Sequence, residues 1–150
     1  MRVLNSIEEI EAAVGEPLGT TEWVTMDQKM VDTFADLTGD HQWIHVDPER
    51  AAQSSFGGTI VHGLLTLGML PGFGLKIFRI DAGSARLNYG SEKVRFPAPL
   101  RTGTRVRGSA TFVAVDPVPS GTQVRTRWTV EAEGSERPVC VAETITLVLP

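Results

Sequence analysis

The sequence predicts an α+β fold in which an antiparallel sheet wraps around one long apolar helix. Three observations carry this. Apolar residues in the first half recur at three- and four-residue spacing, the period of a helix. In the second half they alternate, the period of a strand. Between the halves lies the longest apolar stretch, roughly Thr59 to Phe78, interrupted by His62, several glycines and Pro71. It is too broken for a membrane span and reads as a buried helix. Such a helix followed by a curling antiparallel sheet buries both apolar faces when the sheet closes over the helix. At 150 residues the chain suits a single domain, 1–150, with one core.

The elements follow in order. Ile7, Ile10 and Val14 mark a short helix that stops near Gly15 and Pro17. Glu22 to Met26 reads as a short strand. Asp27 caps the next helix, in which Met30, Val31, Phe34 and Leu37 share a face and Gly39 supplies the stop. Pro48 opens a short helix over 49–54, and Phe56-Gly57-Gly58 turns the chain. The buried helix starts near Thr59 or Ile60; Leu64, Leu65, Leu67, Met69 and Leu70 surround most of it, and Pro71-Gly72 kinks or interrupts it. Strands are predicted at 87–90, 93–96, 105–115, 124–132 and 138–149. In the fourth, Val124, Trp128, Val130 and Ala132 face one way, with Arg125, Arg127, Thr129 and Glu131 opposite. Turn signals at 116–121 and 133–136 join the last three strands as a meander.

Composition narrows the function classes. A net charge of −4 argues against a nucleic-acid partner, which calls for a basic face. No signal-peptide core is visible near Met1, and one cysteine, Cys140, suits a reducing, cytoplasmic setting. Cys140 lies in the apolar run Val139-Cys140-Val141-Ala142 and reads as a small buried hydrophobe. No zinc spacing, phosphate loop or dinucleotide fingerprint appears.

The chemistry concentrates in Phe34-Ala35-Asp36-Leu37-Thr38-Gly39-Asp40-His41-Gln42-Trp43-Ile44-His45-Val46-Asp47. A carboxylate, Asp40, precedes an imidazole, His45, in one short loop after a helix stop. Two such groups can share a water and move a proton near neutral pH, the requirement of general acid–base catalysis. Alone, the spacing also fits a helix-ending turn with a satisfied histidine. Apolar Trp43 and Ile44 between them favour a partly buried site, where ionisable groups shift and become useful.

Residues 34–52 resemble the hydratase-2 motif of the MaoC-like (R)-specific enoyl-CoA hydratases, a branch of the hot-dog superfamily. The matching positions are Phe34, Thr38, Gly39, Asp40, Ile44, His45, Asp47 and Ala51. The chain departs at Gln42-Trp43, where the family has Asn-Pro. The resemblance extends to Ile60-Val61-His62-Gly63-Leu64-Leu65, which opens the family's central helix. It extends also to the strand and turn over 93–103, with Arg95-Phe96-Pro97.

The resemblance implies a single hot-dog domain, an acyl-CoA or acyl-carrier-protein thioester as substrate, and a homodimer. It implies reversible hydration of a trans-2-enoyl thioester to an (R)-3-hydroxyacyl thioester, with no metal or redox cofactor and with coenzyme A entering only as part of the substrate. Asp40 and His45 would hold the water, and the Gly63 N–H would bind the thioester oxygen. First-turn amides lack helical acceptors and sit at the positive end of the dipole, which suits that role. Val61, His62, Asn88, Tyr89, Gly90 and Arg95 are the expected substrate-binding positions. For His62 a structural role is the simpler reading, and Tyr89, alone in a strand, could equally be core. Lys93, Arg95, Arg101, Arg105 and Arg107 form a basic run that could be a solvated face or could meet coenzyme A phosphates. A hot-dog thioesterase and a noncatalytic thioester-binding subunit of a heteromeric dehydratase are the alternatives.

Overall fold

The computed structural model describes all 150 residues. The chain runs β1 (Arg2–Leu4), α1 (Ile7–Ala12), β2 (Pro17–Thr20), β3 (Val24–Thr25), α2 (Gln28–Thr38), α3 (Trp43–Val46) and α4 (Pro48–Ala52). It continues α5 (Gly63–Gly68), α6 (Leu70–Ile77), β4 (Phe78–Ile80), β5 (Ala85–Arg95), β6 (Arg105–Val118), β7 (Gly121–Ala132) and β8 (Cys140–Leu149). Capping chemistry places several of these boundaries. Ser6 accepts from the Glu9 N–H at 3.2 Å, and Asp27 from the Met30 N–H at 2.9 Å. Asp47 accepts from the Arg50 N–H at 3.0 Å, with Pro48 in the first helical turn beside it.

A six-stranded antiparallel sheet has the order β2-β6-β7-β8-β5, with β3 also paired to β6. The last three strands form the expected meander. A separate parallel pair joins β1 to β4. The sheet folds over α6, which buries Leu70, Phe73, Gly74 and Ile77. The approach is close because of Gly108 on β6: a Cβ there would sit 2.6 Å from the Phe73 ring. Phe112, Val124, Trp128 and Val130 complete the wall facing the helix, so the predicted alternation on the 124–132 strand holds. Cys140 is fully buried in β8, where burial pushes its thiol up to about 11, as befits a packing residue.

The central helix starts at Gly63, later than the expected Thr59 or Ile60, and the interruption expected at Pro71-Gly72 is present as two segments meeting at Met69. Pro71 has no N–H to give Leu67 and its ring crowds the preceding turn, so the ladder breaks there. Met69 keeps helical dihedrals (φ −77°, ψ −17°), and Phe73 still donates to its carbonyl at 3.0 Å. The two strands expected at 87–90 and 93–96 are one strand, β5, with register shifts between Asn88 and Gly90 and between Glu92 and Arg95. Strands β1, β2 and β4 were not anticipated. Three or four residues show no alternation, and β2 contains Pro17 and Gly19. The turn expected from Asp116 narrows to Pro119-Ser120, because β6 pairs through Val118.

Candidate active site

Gly39 ends α2 in the left-handed conformation (φ 78°), its N–H donating to Ala35 at 2.8 Å. The reversal sends Asp40 to Gln42 across the start of the central rod. Gln42 is non-helical (φ −58°, ψ 137°), and Trp43 opens α3. Trp43 stands at the first helical position, a place that also tolerates proline. Trp43 is half-buried, with the Arg50 guanidinium 4.3 Å above its ring.

One turn of α3 carries His45 inward to 7% exposure. Its Nδ1 lies 2.6 Å from the Ile60 carbonyl oxygen. A carbonyl only accepts, so Nδ1 carries the hydrogen and Nε2 keeps the lone pair. Burial holds this imidazole below its ordinary value near 6.5; the Ile60 bond opposes that shift, and the second imidazole stacked on the ring adds to it. The ring is therefore neutral at pH 7, with a free proton acceptor.

That second imidazole is His62, at 3.7 Å between centroids and 22° between planes. Its Nε2 donates to the Asp40 carbonyl at 3.0 Å and lies 3.9 Å from the Asp40 carboxylate. Phe34 covers its other side at 4.9 Å. His62 thus touches both members of the expected pair, and at 3% exposure it has no face left for a substrate. This packing accords with the structural role that is the simpler sequence reading of His62.

No direct hydrogen bond joins Asp40 to His45. Asp40, His45 and His62 present polar atoms all within 4.8 Å of one another, a separation that one water can bridge. The Asp40 side chain is 54% exposed, so a small molecule can reach it. Three such ligands could in principle hold a metal ion. Here one nitrogen of each imidazole is already committed to a carbonyl, and an ion must lie close to the plane of every ring it binds. Two rings stacked nearly parallel at 3.7 Å do not converge on one ion. The arrangement suits proton transfer.

Gly63 begins α5, directly after His62. A Cβ at Gly63 would fall 2.8 Å from the Phe96 ring, so glycine is what lets that ring lie against the helix start. Arg95 sits next to Phe96 at the end of β5, exposed, its guanidinium donating to the Val94 carbonyl at 2.7 Å. Val61 is 4% exposed, and its N–H donates to Leu100 at 2.8 Å. Its side chain belongs to the core.

Asn88, Tyr89 and Gly90 lie apart from this cluster. Asn88 lines a cavity of about 360 Å³ between α6 and the sheet, bounded by Leu70, Gly74, Phe78 and Trp128. Tyr89 is 63% exposed beside the first irregularity of β5, so its alternative as a core residue is excluded. Gly90 is exposed opposite Ile145. The sequence reading missed the Ile60 carbonyl, Gln28 and Thr59, which hold the ring and its loop. Thr59 opening an apolar run was the one local signal for them.

This geometry belongs to a known class. Residues 9–134 match the MaoC like domain, and the chain belongs to that family of hot-dog hydratases and dehydratases. It is 49% identical over 146 residues to 3-hydroxyacyl-thioester dehydratase Z of Mycobacterium tuberculosis, covering 97% of each chain. It is 43% identical to nodulation protein N of Rhizobium leguminosarum bv. viciae, covering 95% of this chain and 91% of the relative. Among solved structures it resembles the (R)-hydratase of A. caviae involved in PHA biosynthesis. There the TM-score is 0.73 at 22% identity, covering 91% of this chain and 96% of that one. No helix is long and apolar enough to cross a membrane.

Proposed function

We propose that the protein catalyses reversible addition of water to trans-2-enoyl thioesters, giving (R)-3-hydroxyacyl thioesters, and the reverse dehydration. The observation that carries this is the neutral His45, which presents a ring nitrogen within 4.8 Å of an Asp40 carboxylate oxygen while its Nδ1 is held by the Ile60 carbonyl. In the forward direction the pair binds a water. As its oxygen bonds to Cβ, the pair takes one proton, and the Cα=Cβ electrons move toward the thioester carbonyl. A proton then passes from the pair to Cα, so one water is consumed and the pair is restored. The Gly63 N–H, in the first turn of α5, is assigned to the enolate-like oxygen. Asp40 and His45 titrate as a pair, and base and acid are roles of the pair. No step calls on a metal or redox cofactor.

The acyl chain is assigned to the cavity beside Asn88, with Tyr89, Gly90 and Arg95 along the approach. Either a coenzyme A or a carrier-protein thioester satisfies this chemistry. A cytoplasmic homodimer is the proposed working form. Its support is the open edge of β5 and the exposed apolar Leu64, Leu75, Leu87 and Tyr89.

The test is the loss of enoyl-thioester ultraviolet absorbance on adding the protein to crotonyl-CoA and to a medium-chain enoyl-CoA. Turnover to the (R)-3-hydroxy product is expected, and Asp40→Asn or His45→Ala is expected to lower it by about 10²–10⁴. Wild-type rates in His45→Ala would overturn the mechanism; release of free thiol would replace it with thioester cleavage.

A further inference from the structure

Gln28 stands at the first position of α2, well before the motif that carries the reactive pair, yet its amide joins three segments. Its Nε2 donates to the His45 carbonyl at 2.8 Å and to the Asp32 carboxylate at 2.8 Å. Its Oε1 accepts from the Thr59 hydroxyl at 2.6 Å. The orientation is unambiguous, because a carbonyl and a carboxylate both need a donor. Thr59 is 7% exposed, and its own carbonyl accepts from the Thr102 N–H at 2.9 Å. The next residue is Ile60. Its N–H donates to Ile44 at 2.9 Å, and its carbonyl holds the His45 ring at 2.6 Å.

The imidazole therefore hangs between two pieces of chain. One is the backbone of α3, from which its side chain springs. The other is the 59–61 segment, which supplies the carbonyl fixing its tautomer. Gln28 ties the main chain of the first to the side chain of the second. We infer that Gln28 and Thr59 form a clamp that positions the His45 ring, with Gln28 a positioning residue for the reaction. Nothing in either residue touches the reacting atoms. Their effect is to fix the distance between His45 and Ile60, and with it the direction of the Nε2 lone pair. The inference rests on the proposed role of His45. Small misplacement of a reacting group can cost about 10²-fold in rate.

The test uses the full chain and the variants Gln28→Leu, Thr59→Val and their combination, each confirmed as folded by its thermal transition. Each single variant is expected to lower kcat about 10- to 100-fold on an enoyl-CoA, with KM little changed. The double variant should be no worse than the poorer single one, because both remove the same tie. Independently of activity, the slowly exchanging Nδ1 proton of His45, assigned by its absence in His45→Ala, should be lost from the proton spectrum of each single variant. Wild-type kcat in Gln28→Leu, additive losses, or an unchanged Nδ1 proton would overturn the clamp. If His45→Ala itself retains turnover, the hydratase mechanism fails, and the clamp is then judged on the Nδ1 proton alone.

Discussion

At the residue scale the site is set by the state of one ring. His45 is neutral because burial costs its charged form more than the Ile60 hydrogen bond returns. The sign follows directly. Its value in the folded protein lies below 6.5, so the proton acceptor is lost only when the pH falls beneath that value. The acid limb of kcat/KM is expected below pH 6.5, and a limb at or above 6.5 would show that another group controls it. Asp40 and His45 were legible because local chain brings them together: a helix stop, a short loop, then one turn of helix. For His62 the structural role was the simpler sequence reading, but what surrounds the ring was not legible. Its true neighbours, Phe34 and His45, come from sequence positions 28 and 17 residues away.

At the element scale the proposed mechanism places chemistry at one end of the central rod and acyl-chain space at the other. Gly63 starts it against Phe96, and Gly74 lies in its second segment, facing the cavity beside Asn88. A Cβ at Gly74 would meet Trp128 at 3.6 Å, an ordinary contact, so alanine fits. A leucine there would extend into the 360 Å³ cavity. Gly74→Leu is expected to lower kcat/KM for a medium-chain enoyl-CoA at least about tenfold while sparing crotonyl-CoA, measured by the same absorbance assay. An equal effect on both would place the acyl chain elsewhere. The apolar run over 59–78 announced a buried helix, and Pro71 announced its break. That the break falls at Met69 is decided by which carbonyl the proline leaves unbonded.

At the scale of the whole molecule, the sheet is covered on one face by α6 and open at the β5 edge. That edge is 11 residues long, and its exposed Leu87 and Tyr89 add apolar surface that a lone chain would leave wet. Sedimentation equilibrium is expected to give twice the 16.3 kDa of one chain. A monomer at assay concentrations with full turnover would remove the dimer from the working form. The outer sheet face carries a ladder of ion pairs, Arg105–Glu133, Arg107–Glu131 and Arg127–Glu143. That ladder gives Arg105 and Arg107 acidic partners within the chain, which favours the solvated-face reading of the basic run.

The sequence by itself determined the fold class, the meander, the caps at Asp27 and Gly39, and the Asp40–His45 pair. All of these rest on periodicity or on residues a few positions apart, where side-chain chemistry and backbone preference act locally. Only the tertiary structure decided that Ile60 holds the imidazole, that His62 stacks beneath it, that Gln28 reaches Thr59, and that Asn88 faces a cavity. Those contacts depend on how the loop of 53–61 packs against α2 and α3 and on how the sheet closes over α6, and such long-range packing leaves no periodic mark in the chain.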